Sequence, residues 1–152
     1  MKIALMLILL FAAHNCSVDV ARPQSSDLVG RWKVDITFEN ESTRSMSLDA
    51  EDSGKGSLLL EDERSNWAEP AKPSQAKWRV GAEKRVTIVG PVEFPIGNVG
   101  RETGVLSFKG AFKSERIITG EIAFYPMDQD PSDPKAKPTK TGKFEATRVG
   151  DR

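Results

Sequence analysis

The chain has 152 residues, about one domain's worth, and its 22 lysines and arginines are matched by 22 aspartates and glutamates. A chain without net charge has no field to steer nucleic acid or an anionic lipid surface, so nucleic-acid binding is not expected. It has one histidine, His14, and one cysteine, Cys16, which leaves little for side-chain chemistry.

Met1-Lys2 followed by the apolar residues 3–13 has the form of a signal peptide. The run is well short of the ~20 residues a membrane-spanning helix needs, and no later segment is apolar enough to span. The expected leader is 1–21, with its cleavage position open. Cys16 stands just after the apolar run, where a bacterial lipoprotein carries its lipid-modified cysteine, while Ala21 is the small residue available for ordinary cleavage. The expected product is an exported protein of the periplasm or cell envelope, held through lipid on Cys16, or a secreted one that has lost Cys16. That anchor is the only membrane contact expected. A single cysteine forms no disulfide within the chain. Beyond the leader there is neither histidine nor cysteine, which removes Ser-His-Asp and Cys-His nucleophiles, histidine acid–base catalysis and the usual zinc sites. No cofactor and no metal is expected.

Residues 22–27 read as a flexible stretch, and a single domain is expected over 28–149. A first strand is predicted over 29–39, where Trp32, Val34, Ile36 and Phe38 alternate with Arg31, Lys33, Asp35 and Thr37. Strands follow over 44–50, with Met46 and Leu48 on one face, and over 57–61 after the turn signal Gly54-Lys55-Gly56. A proline-containing stretch carries Trp67. Short strands are predicted over 76–80 and 85–89, the second interrupted by Gly90-Pro91 and resumed over 92–94. The last three cover 105–112, 117–124 and 142–149, with a proline-rich loop over 125–140 between the final two. Adjacent apolar residues at Leu58-Leu59-Leu60 and Ile117-Ile118 leave the facing open there. Eight short strands and no helical stretch predict an all-β fold. An antiparallel up-and-down β-barrel of eight strands is the simplest arrangement, and a two-sheet β-sandwich is the alternative.

Gly30-Arg31-Trp32 on the first strand and Arg148 on the last resemble the calycin superfamily, which includes the lipocalins and fatty-acid-binding proteins. The closing Gly142-Lys143-Phe144-Glu145-Ala146-Thr147-Arg148 also resembles small bacterial lipocalin-like domains. The resemblance implies a barrel with Trp32 plugging one end and Arg148 packed over it as a structural pair. The shared parity of Phe144, Ala146 and Arg148 agrees with this.

A barrel of eight strands is just wide enough to be filled by side chains or to hold one small ligand. The candidate lining is Phe38, Met46, Trp78, Leu106, Phe108, Ile122 and Phe124. A cavity between them would take a small hydrophobic molecule, with Gly110, Gly120 and Gly142 leaving space or bending strands. No inward charge is evident in mid-barrel. Trp67 and the segment 91–99, with Phe94, Ile96 and Val99, are candidate contact loops for a protein partner. Asp128, Asp130 and Asp133 lack the glycine and distal glutamate of a calcium loop. Asn40-Glu41-Ser42 matches a glycosylation acceptor, with meaning only in a eukaryotic secretory pathway. The carboxylate pairs Glu39/Glu41, Asp49/Glu51 and Glu61/Glu63 sit at strand ends among solvent-facing charges, so catalysis is not expected. Two expectations result: non-catalytic binding of a small hydrophobic molecule inside the barrel, or a solid-cored barrel that acts through its loops as an inhibitor or envelope component.

Overall fold

The computed structural model describes residues 27–61, 71–96 and 100–150. The expected leader with Cys16, the stretch with Trp67, and Val99 lie outside the described residues. The strands are β1 (Gly30–Phe38), β2 (Thr43–Ala50), β3 (Lys55–Leu60), β4 (Ser74–Val80), β5 (Arg85–Ile96), β6 (Gly100–Ser114), β7 (Ile117–Pro126) and β8 (Lys140–Arg148). Each pairs antiparallel with the next and β8 pairs with β1, so the sheet is a closed eight-stranded barrel in sequence order, not a sandwich. Closure leaves no exposed sheet edge to recruit another chain. Among the described residues no helix is long and apolar enough to cross a membrane.

The period of two sets which side chains go inside. In β1 buried and exposed residues alternate strictly from Arg31 to Phe38. The ambiguous triplet resolves through β2, because Leu48 stands opposite Leu58 and Met46 opposite Leu60, which turns Leu59 outward. At the other doublet, Ile118 is buried opposite Ala146.

β5 differs from expectation. It runs unbroken through Gly90-Pro91 and pairs with β6 along its whole length. The ladder to β4 stops at Val89, so the missing N–H of Pro91 interrupts no bond on that side. The Pro91 carbonyl accepts the Ser74 hydroxyl at 2.5 Å instead. β6 and β8 also begin earlier than their apolar patterns, at Gly100 and Lys140. β6 ends in a register shift between Phe112 and Ser114 before its hairpin.

Gly110 and Gly120 face each other across β6 and β7. They do not open a space. A side chain at Gly110 would meet the Phe144 ring at 2.9 Å, so that ring already fills the position. A Cβ at Gly120 would run into the backbone of Lys109 and Gly110, which cannot yield as a side chain does. Gly120→Ala is therefore expected to destabilise by about 1–3 kcal/mol or more. Gly81→Ala, whose nearest neighbour would be 4.0 Å away, should be close to neutral. Thermal unfolding of the two variants checks this, and equal melting temperatures would contradict it.

Candidate functional site

The two ends of the barrel differ. At one end the connections are short: 51–54, 81–84 and 115–116. Here Trp32 is fully buried and its Nε1 donates to the Leu28 carbonyl at 2.8 Å. The Arg148 guanidinium lies 4.3 Å from the Trp32 ring centroid. It also donates to three backbone carbonyls, those of Val29 at 2.7 Å, Glu115 at 3.3 Å and Asp27. Gly30 has φ +126°, and a side chain there would meet Arg148 Nη1 at 2.9 Å, so the glycine of Gly-x-Trp serves both the backbone and the arginine. Beside this group is a cavity of about 280 Å³ lined by Asp27, Lys84, Phe112, Ser114, Glu115, Arg116, Arg148 and Gly150. Most donors of Arg148 are engaged with the chain itself, which suits a structural clamp.

The seven sequence-predicted lining residues are all buried, at three levels of the barrel. Met46, Leu106, Phe108 and Ile122 fill the middle, each at 0–1% exposure. Phe108 meets Phe144 edge-on with centroids 5.2 Å apart. A void able to hold even water would leave such walls accessible from within, so at this level the side chains pack against one another. Trp78 lies toward the short-loop end, its Nε1 donating to the Lys55 carbonyl at 2.7 Å.

Phe38 and Phe124 belong to a different layer, at the end carrying the connections 39–42, 61–73, 97–99 and 127–139. Phe94 from β5 joins them. Its ring is 6.0 Å from Phe38 and 5.5 Å from Phe124, so three aromatic side chains from β1, β5 and β7 bridge the barrel. Above this layer are three ionisable residues that the sequence reading did not assign to the interior. Arg44 stands opposite Ile36, Glu102 opposite Phe94 and Lys140 opposite Phe124, each partner an inward residue. Alternation therefore turns all three inward at the rim. Carrying the parity of Met46, Leu106 and Phe144 back by two or four residues reaches them. The Lys140 ammonium forms an ion pair with Glu102 and sits 5.4 Å from the Phe124 ring centroid. The Arg44 guanidinium lies 5.7 Å from the Phe94 centroid and donates to the Thr43 carbonyl at 2.8 Å. Both distances fall in the range where a cation is attracted to a ring face.

The carboxylates with shifted protonation are not the inward-facing one: Asp35 is on the outer face of β1 and Asp130 is in the 127–139 connection. The Ser45 hydroxyl holds Asp35 below the usual carboxylate range, against partial desolvation, with Lys33 adding to the effect. Hydrogen bonds from Ser132 do the same for Asp130. Asp130 and Asp133 each accept a backbone N–H, from Ser132 and Lys135, both at 2.8 Å, and so shape their own loop. Among the described residues no three histidine, cysteine, aspartate or glutamate side chains converge as metal ligands would.

Fold and rim together define an eight-stranded antiparallel β-barrel with one clamped end and one aromatic, ionic end. The sequence matches no family model, and no curated protein is significantly similar to it. Among solved structures it is similar to EF1p2_mFAP2b bound to DFHBI, with 14% identity over 84% of this chain and 97% of that one and a TM-score of 0.52. It is also similar to a redesigned β-barrel, with 8% identity over 86% and 98% of the two chains and a TM-score of 0.47. At such identities the likeness is one of fold.

Proposed function

We propose that this chain is an exported, non-catalytic, lipocalin-like barrel that binds a small hydrophobic molecule at its aromatic end. The observation that carries the reading is the Phe38–Phe94–Phe124 layer, roofed by inward-facing charges at the end opposite the Arg148 clamp. Apolar ring faces with a few converging polar groups are what small-molecule sites are made of. A similar barrel is known bound to the small molecule DFHBI, which is compatible with such a role for this fold. Export rests on the apolar leader, with retention in the periplasm or cell envelope through lipid on Cys16, or release without it. The sealed middle favours a second reading, a solid-cored barrel whose loops contact a protein partner.

The test is mass spectrometry of an organic-solvent extract of the natively purified protein, produced with its own leader. A stoichiometric hydrophobic molecule is expected. An extract that is empty, and still empty after incubation with a mixed lipid pool, would overturn binding and leave the loop-contact reading. The intact mass from the same preparation would show whether Cys16 carries lipid.

A further inference from the structure

We infer that the molecule taken at this end is an anionic amphiphile, an apolar body bearing one negatively charged oxygen group, and that Arg44 meets that group. The inference rests on the binding reading above and adds the charge of the ligand. Three ionisable side chains face inward at the rim, two cationic and one anionic. Glu102 is committed to Lys140. Arg44 has no acidic partner among the described residues, and it is only partly exposed. Its one hydrogen bond to the chain engages Nη1, which leaves the other donors of a planar fork suited to a carboxylate or phosphate. Three arginines of the outer wall have acidic partners, and exposed Arg79 on β4 has none among the described residues. Arg31 is paired with Asp49 at 2.8 Å, Arg85 with Glu83 at 2.7 Å and Arg101 with Glu93 at 3.1 Å. Directed into an apolar mouth with no carboxylate partner among the described residues, Arg44 carries a charge that an incoming anion would balance. The Phe94 ring beneath it holds the guanidinium in place and offers an apolar face to the rest of the ligand. A cationic ligand would meet Arg44 with like charge, so the same geometry selects against it.

The experiment compares decanoate, decyl phosphate and decanol, which share an alkyl chain and differ in charge, by calorimetric titration of the full chain and of Arg44→Gln. Both anions are expected to bind wild type about tenfold or more tightly than the alcohol, as a charge-assisted hydrogen bond predicts. Arg44→Gln should bring the anions down to the level of the alcohol and leave the alcohol unchanged. Arg31→Gln, on the outer wall, should alter neither. Wild type provides a check that needs no variant, because raised salt should weaken the anions and spare decanol. A preference for one anion would separate carboxylate from phosphate as the recognised group. Equal binding of all three by wild type would overturn the inference and leave hydrophobic binding intact. Binding of none would overturn both.

Discussion

Arg148→Ala is expected to lower the free energy of unfolding by about 2–4 kcal/mol, read as a lower urea midpoint at constant slope. Arg148 is 8% exposed, and its guanidinium donates to the carbonyls of Asp27, Val29 and Glu115 and lies against the Trp32 ring. Truncation removes the ring contact, worth about 0.5–2 kcal/mol, and leaves carbonyls from two separate segments short of a donor. Those segments are the entry to β1 and the β6–β7 hairpin, so one side chain ties the start of the barrel to its far wall. Arg148→Lys keeps the charge but not the fork, and should recover less than half of the loss. An unchanged midpoint in Arg148→Ala would mean that the clamp contributes nothing.

How much of this was legible in sequence follows from what alternation can signal. The closed barrel, its strand number and the interior residues were readable because Trp32, Val34, Ile36 and Phe38 alternate with polar neighbours, and the other strands repeat the pattern. The strand ends were not. β6 begins Gly100-Arg101-Glu102-Thr103-Gly104 and β8 begins Lys140-Thr141-Gly142, with no apolar residue on the inward face. A reading that ends a strand where its apolar face ends stops short of the rim, where inward charge is expected. Glu102 and Lys140 were missed for this reason, whereas Arg44 lay inside the predicted strand 44–50 on the parity of Met46 and was not followed inward. Gly90-Pro91 misled in another way. Proline marks a break only where its N–H would have been used, and which ladder a strand has lost at that point is a tertiary fact. Whether glycines opposite aromatic rings leave space was also undecidable. Filling depends on rotamers, and the Phe144 ring over Gly110 settles it locally.

Phe108→Ala separates a filled barrel from a hollow one. Phe108 stands between Ile88 on β5 and Ile122 on β7, and its ring meets Phe144 edge-on at 5.2 Å. With 1% exposure it has neighbours on every side, so truncation leaves a cavity that a closed sheet can collapse around only partly. The expected loss is about 3–5 kcal/mol, the transfer and cavity contributions together. In a barrel already hollow at this level the ring would border empty space, and the loss would be at most about 2 kcal/mol. The new cavity would be lined by isoleucine and phenylalanine, stay dry, and take up a small apolar molecule. Benzene should therefore raise the melting temperature of Phe108→Ala and leave wild type unchanged. A rise in wild type as well would mean the interior already holds room for a ligand. Binding would then belong in mid-barrel, and the aromatic layer at the rim would be its entrance.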